Sequence, residues 1–450
     1  MQNYTYIMHK IIKICIYTNK SIIKYQKIQE FCVIYILKRD DAYCIIIHHR
    51  PEGKIMIDKI IHLDKSYYMN TFGDRTPLMF EKGKGIELTD SNGDVYKDFF
   101  AGIAVNALGH SHPKLVSRLK DQIENLIHTS SVYYIKNQAL LAEQLCKKTC
   151  FDKVFFANTG AEANEGAIKL ARKYFYNKGE DKYEIITLNK SFHGRTITTA
   201  TATGQDKYKI PYAPLTPGFV HINSNDVEAL KNAVGKNTCA IMVELIQGES
   251  GVRPLDEEFV KEIRRICDEN DIIFIVDEVQ TGIGRCGKLF AYEHFGVEPD
   301  IITCAKALGG GVPIGAVLAK DFVADSFKPG DHGTTFGGNP LSCRAGLATL
   351  EIIEEEKLVE NSSQMGTYFM EKLSEKVGDY ASEIRGKGLM IGIELKNKNA
   401  GEICKELMKR KYLVGAVGDS VLRIVPPLII TKNDIDGFVN TLENILKGDN

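Results

Sequence analysis

Two short apolar runs, each ending on one ionisable side chain, constrain this chain more than any other feature. Ile272-Ile273-Phe274-Ile275-Val276 leads into Asp277, and Ile301-Ile302-Thr303-Cys304-Ala305 leads into Lys306. Glycines follow both, at Gly282 and at Gly309-Gly310-Gly311. A continuous β-branched run bounded by turn residues reads as a strand buried on both faces, as in a parallel sheet covered by helices. Burying Asp277 or Lys306 there without a partner would be costly. Both stand at the carboxyl ends of successive predicted strands, where open α/β sheets build their sites. The two stretches are expected to meet in space.

A lysine that forms a Schiff base and an aspartate that holds a protonated pyridine nitrogen are what pyridoxal phosphate (PLP) asks of a protein. Val276-Asp277-Glu278-Val279-Gln280-Thr281-Gly282-Ile283-Gly284-Arg285, followed at this separation by Ala305-Lys306-Ala307-Leu308-Gly309-Gly310-Gly311, closely resembles the class III aminotransferases. The resemblance runs from about residue 56 to the last residue through several separate motifs. It implies an α/β chain of the PLP-dependent transferase fold type I. The large domain, at 115–345, should carry a mostly parallel seven-stranded sheet. A smaller α+β domain should combine an N-terminal segment at 56–114 with residues 346–450.

The other motifs follow the chain. Lys153–Ala157 reads as a strand that turns through Asn158-Thr159-Gly160-Ala161 into a helix reaching Tyr176. That arrangement aims free backbone N–H groups and the positive helix end at one point, a phosphate site. The resemblance gives Thr159, Gly160 and Ala161 to the cofactor phosphate. Gly166, inside this helix, should weaken it by about 1 kcal/mol relative to Ala. After the strand Tyr183–Leu188 comes Ser191-Phe192-His193-Gly194-Arg195. The resemblance lays Phe192 on one face of the PLP ring and Val279 on the other, and brings Gln280 to the ring's 3-oxygen. It gives Arg195 a substrate carboxylate, which a planar two-pronged donor suits better than lysine. His193 is read as structural.

Glu249 follows the strand Cys239–Leu245, and Arg423 lies in Leu422-Arg423-Ile424-Val425-Pro426. The resemblance pairs the two while the amino donor is bound and frees Arg423 when a dicarboxylate enters. In the loop His332–Pro340, Thr335, with Thr334 as the alternative, is expected to reach a neighbouring subunit's PLP phosphate, which implies a homodimer with shared sites. Ala101–Pro113 resembles the loop of the acetylornithine branch, with Ile103 where the ornithine branch has a tyrosine. His110 and His112 read as a structural turn, because no carboxylate is spaced to complete a metal site; no metal is expected. Together these motifs imply transamination from N2-acetylornithine to 2-oxoglutarate. Lys306 holds the cofactor and moves the proton, and Asp277 keeps the ring nitrogen protonated. Ornithine, succinylornithine and 4-aminobutyrate are the alternative donors within the class.

Composition excludes several other classes. A formal net charge of −1 gives no reason to expect nucleic acid or an anionic membrane as partner, and no stretch is long and apolar enough to span a bilayer. Eleven cysteines are scattered singly, which suits a reducing compartment and a cytoplasmic enzyme; Cys146 and Cys150 read as helix core. The glycine run after Lys306 lacks the G-x-G-x-x-G spacing of a dinucleotide-binding oxidoreductase. A PLP-fold protein reduced to a binding role is disfavoured because each catalytic position is present.

Ser91-Asn92-Gly93 between two short polar-apolar runs signals a hairpin. Residues 1–55 differ from the rest, being rich in Ile, Lys and Tyr without persistent periodicity. They make a poor signal or transit peptide. They are read as a non-homologous extension or translated upstream sequence with Met56 the natural start, a targeting arm being the alternative.

Overall fold

The computed structural model describes the backbone of residues 32–39, 42–49 and 52–448, and the side chains of 56–448. The chain divides into two compact units, residues 1–82 with 89–95 and residues 83–88 with 96–450. In the first unit, Cys32–Arg39 and Ala42–His49 pair as an antiparallel hairpin, and Glu52–Tyr67 forms a helix that runs across position 55. The reading of 1–55 as an extension lies mostly outside the described residues. At the predicted turn, Asp90 Oδ1 accepts from the backbone N–H of Asn92 and Asp94 at 2.8 and 2.9 Å, and Gly93 takes φ +87°.

The second unit holds the principal sheet. Its strands are β1 (Lys153–Ala157), β2 (Glu184–Leu188), β3 (Phe219–Ile222), β4 (Thr238–Val243), β5 (Ile273–Asp277), β6 (Ile301–Cys304) and β7 (Gly315–Ala319), in the order β1-β7-β6-β5-β4-β2-β3. Neighbours pair in parallel, except that β7 runs antiparallel to β1 and β6. The sheet is therefore seven-stranded and mostly parallel. Strands β4 to β7 are buried along their whole length, as continuous apolar runs in a doubly covered sheet must be.

The helix Gly160–Lys178 packs on this sheet and ends at Gly179, φ +72°. Gly166 has its reason here: a Cβ at that position would stand 3.0 Å from Val317 Cγ2 of β7. The lost helix propensity is exchanged for a close helix–sheet approach. The periodic stretch from Leu115 to Cys150 forms two helices, Pro113–Asn125 and Lys136–Lys147. Cys146 lies in the second, half-buried. Cys150 lies beyond its end, so the helix-core reading fails there; its thiol instead approaches the Tyr292 hydroxyl at 3.8 Å.

A second sheet is antiparallel, with β8 (Ala381–Lys387), β9 (Met390–Leu395), β10 (Gly415–Val417) and β11 (Val421–Ile424) in the order β8-β9-β11-β10. In β9 every residue except Glu394 is buried. One face of β9 carries the turn at Gly251: a Cβ on Gly392 would stand 2.8 Å from Gly251 O.

Distant parts of the chain meet beside this sheet. Tyr412 and Leu413 pair in parallel with Lys97 and Asp98, and Val425 N–H donates to Phe99 O at 2.9 Å. Phe99 is fully buried and stacks on Phe438 with centroids 4.5 Å apart.

Candidate active site

Asp277 closes β5 and pairs in register with Thr303 of the neighbouring β6, so the two runs that dominate the sequence are adjacent strands. Asp277 is 4% exposed, and its carboxylate is held from three sides. Oδ2 accepts from Asn164 Nδ2 at 2.8 Å and faces His193 Nδ1 at 2.8 Å; Oδ1 accepts from Val279 N–H at 3.0 Å. Asn164 is fixed in turn, donating to His193 O at 2.7 Å and accepting from Thr303 Oγ1 at 2.6 Å. His193 is therefore more than a structural residue of the turn: its ring orients the buried aspartate.

Lys306 begins the short helical turn that follows β6. Its φ of +41° is rare for a side chain with a Cβ, and such outliers collect at functional sites. Burial pushes its amine down from 10.5 to about 8; Arg423 lowers it further, while Glu249, Asp277 and Glu244 pull the other way. A lysine so depressed sheds its proton within reach of neutral pH, with a neutral fraction of about a tenth at pH 7 and about half at pH 8, as a nucleophile or proton carrier needs.

Both side chains open into one cleft of about 570 Å³. Thr159, Gly160, Ala161, Phe192, Arg195, Val279 and Gln280 line the same cleft, so the structure brings nine of the predicted site residues together. The first turn of the Gly160–Lys178 helix points into it. Thr159 caps that helix by accepting from Glu162 N–H at 3.1 Å, leaving the N–H groups before it to the cleft. Gly315 lets the turn press on β7, since a Cβ there would lie 2.3 Å from Thr159 O. Gln280 Oε1 is buried without a hydrogen-bond partner among the described residues.

Arg195 has no carboxylate partner among the described residues. Its guanidinium sits over the Tyr208 ring at 4.6 Å and the Phe192 ring at 5.9 Å, and the two rings meet edge-on at 5.5 Å. Tyr208 was not singled out from the sequence; nothing local marks an aromatic on a three-residue turn as a platform. Glu244 was missed as well, although it carries the signal that marked Asp277, an apolar strand ending on a carboxylate. Burial pushes it up to about 7. It accepts from Phe192 N–H at 2.8 Å and Gly248 N–H at 3.3 Å, tying two loops of the site together.

Four predicted residues do not line the cleft in this chain. Glu249 and Arg423 form an ion pair. Burial would raise Glu249, but the Arg423 charge and hydrogen bond outweigh it and hold the carboxyl below its ordinary value. Arg423 also faces the Phe100 ring at 5.5 Å.

Ile103 lies in a left-handed turn, and Val105, two residues on, lines the cleft instead. Ala101, Gly102, Ile103 and Ala104 all have positive φ, between +48° and +65°. This conformation costs about 1–2 kcal/mol per non-glycine residue. Asp98 Oδ1 secures the entry by accepting from Phe100 and Ala101 N–H, and Oδ2 faces His110 Nε2 at 2.8 Å. Thr335 is exposed, whereas Thr334 Oγ1 accepts from Asn158 Nδ2 at 3.0 Å. Among the described residues no group of three or more His, Cys, Asp or Glu could hold a metal ion.

A buried aspartate at a strand end, a depressed lysine just past the end of the next strand and a helix start in one cleft define a site of the aminotransferase kind. The model of the class-III aminotransferase family matches residues 68–446, and the chain belongs to that family. It is 52% identical, over 390 residues, to the acetylornithine aminotransferase of Caldanaerobacter subterraneus subsp. tengcongensis, covering 86% of this chain and 99% of that protein. Among solved structures, it resembles the acetylornithine aminotransferase of Elizabethkingia anophelis, with a TM-score of 0.78 and 34% identity over 87% of this chain and 99% of that one. It also resembles a Toxoplasma gondii ornithine aminotransferase with PLP partially occupying its active site. There the TM-score is 0.84 with 33% identity, over 87% of this chain and 94% of that one.

Proposed function

We propose that this chain uses pyridoxal phosphate to transfer the amino group of N2-acetylornithine to 2-oxoglutarate. The products are N-acetylglutamate 5-semialdehyde and glutamate, as arginine biosynthesis requires. The observation that carries the chemistry is the meeting of Lys306, Asp277 and the Gly160 helix start in one cleft. The donor is supported by the 52% identity to an acetylornithine aminotransferase.

The donor set suits the cofactor. An anion fits the helix start, a cationic ring nitrogen fits Asp277, and the unpartnered Gln280 amide oxygen is free to accept from a hydroxyl group of the ring. When bound, pyridoxal phosphate supplies an aldehyde for the amine and a ring that takes up the electrons released at the substrate carbon.

The rest falls to side chains of this chain. Lys306 attaches the cofactor and, once released, carries the proton from the substrate carbon. Asp277, fixed by Asn164, His193 and Val279 N–H, holds the proton on the ring nitrogen. Phe192 and Val279 confine the ring. Arg195 takes the donor's carboxylate. Val105, in the loop that carries Ile103, borders the donor. Arg423 takes the second carboxylate of 2-oxoglutarate when Glu249 swings aside, and Glu249 neutralises it otherwise.

A homodimer completes the site, with Thr335 of one copy reaching the phosphate of the other. The exposed side chains of Val132, Tyr133, Tyr134 and Phe336 support such an interface. Among the described residues no helix is long and apolar enough to cross a membrane; we place the enzyme in the cytoplasm.

The test is the visible spectrum of the protein loaded with PLP and mixed with acetylornithine or ornithine, without an oxo-acid. Loss of the lysine-bound cofactor's band at far lower acetylornithine than ornithine supports both chemistry and donor. A response to ornithine alone moves the donor to the ornithine branch, to which a solved structure 33% identical to this chain belongs. No band at all refutes the site.

A further inference from the structure

Glu249 sits on a strained turn. Gly251 has φ +101°, and Val252, a β-branched residue, has φ +56°, a conformation that persists only where its surroundings over-determine it. Those surroundings are one rung of the second sheet. Arg385 of β8 pairs directly with Gly392 of β9, which pairs directly with Arg423 of β11. Residues opposite one another in neighbouring strands share a face, so two arginines flank one glycine. The turn lies on that glycine. Beside it, the Arg385 Nε–H reaches Gly251 O at 3.0 Å and Val252 O at 3.1 Å. On the other side Arg423 holds the Glu249 carboxylate. Arg385 is itself anchored, with Nη1 2.6 Å from Glu394 Oε2, an oxygen that also accepts from Arg253 Nη2 at 3.0 Å. Only 7% of Arg385 is exposed.

We infer that Arg385 is a positioning residue for the Glu249–Arg423 exchange: it fixes the backbone of the Glu249 turn on the rung, so that substrates are exchanged by a side-chain swing without movement of the loop. The two arginines divide the work. Arg423 holds a carboxylate that must be released, and Arg385 holds backbone carbonyls that must not be. Gly392 is the spacer that lets the turn come down between them. This inference rests on the Glu249–Arg423 reading given above.

The two half-reactions, measured separately on holoenzyme with acetylornithine and with 2-oxoglutarate, test it. Loosening the turn leaves Arg423 freer, which favours the dicarboxylate. Arg385→Lys keeps a charge beside Glu394 but loses the guanidinium's hold on the two carbonyls. Gly392→Ala keeps every charge and pushes the turn off the rung. Both are expected to lower the ratio of donor kcat/KM to 2-oxoglutarate kcat/KM by about three- to tenfold, the scale of one hydrogen bond. Glu249→Ala lowers the same ratio, and in a Glu249→Ala background neither variant lowers it further. General damage to the fold would depress both half-reactions, and would do so in either background. An unchanged ratio in Arg385→Lys and Gly392→Ala, or an equal shift with Glu249 already removed, overturns the inference while leaving the Glu249–Arg423 exchange standing. An unchanged ratio in Glu249→Ala overturns that exchange, and the inference with it.

Discussion

Lys306 gives the most direct test of the site's electrostatics, because its amine has opposite effects on chemistry and on stability. Replacing it by Met removes the charge while keeping a side chain of similar length. Burial lowers the amine from 10.5 to about 8. At about 1.4 kcal/mol per pH unit, that gap means the cofactor-free enzyme is destabilised by roughly 3 kcal/mol when the amine is protonated. Below about pH 8 the folded and unfolded chains both carry the proton, and the penalty is present in full. Between about 8 and 10.5 the folded chain sheds the proton first, so stability rises with pH, and above 10.5 the penalty is gone. Lys306→Met should therefore gain up to about 3 kcal/mol over the parent at pH 7, relative to the difference seen at pH 10.5. Urea unfolding of both proteins without cofactor, at steps from pH 7 to 10.5, measures the difference. A difference that stays flat across that range would refute the argument. The same amine sets the rate of cofactor uptake, which should rise with pH and level off above about 8.

Three further outcomes follow from the cleft. Gly160→Ala would put a Cβ 2.7 Å from Val279 Cγ1, displacing the side chain expected on the ring, so the cofactor Kd from a spectral titration should rise about tenfold or more; an unchanged Kd contradicts the placement of Val279. Asn164→Ala removes the bond to Asp277 and orphans Thr303 Oγ1, and should cost about 1–3 kcal/mol in chemical denaturation, with weaker cofactor binding. Tyr208→Leu removes the ring under Arg195 and should raise the donor KM about two- to thirtyfold; Tyr208→Phe keeps the ring and should stay near the parent, and equal effects of the two would exclude the platform role.

The sequence displayed the principal sheet unevenly. Strands β5 and β6 are continuous apolar runs and could hardly be read otherwise. Strand β7, Gly-Ala-Val-Leu-Ala, and strand β3, four residues long, are too short or too small in side chain to show a period, and they become strands only through their neighbours. The cleft divides in the same way. Asp277, Lys306 and the Thr159–Ala161 turn lie at strand ends or helix starts, positions that a linear pattern reveals. Asn164 and His193 act through contacts with Asp277, far along the chain, and Tyr208 through the ring–guanidinium contact its turn brings to Arg195, none of which spacing encodes. Ile103 shows a further limit. The loop was legible as a motif, but its four successive left-handed residues, which turn Val105 rather than Ile103 to the cleft, depend on Asp98 and His110 holding the entry.

The tie between Phe99 and the strands near residue 412 has a consequence for synthesis. Lys97 reaches Asp434, 337 positions later, and at about 5–20 residues per second the ribosome needs roughly 20–70 s to make the intervening chain. Throughout that time the strand Val95–Asp98 lacks the edge that will pair with it, and Phe99 lacks Phe438. Arg423, which grips the second substrate's carboxylate in the proposed exchange, is translated in the same late stretch. The nascent enzyme thus carries an open strand edge and an uncovered aromatic ring, and this segment is where chaperones would be needed most.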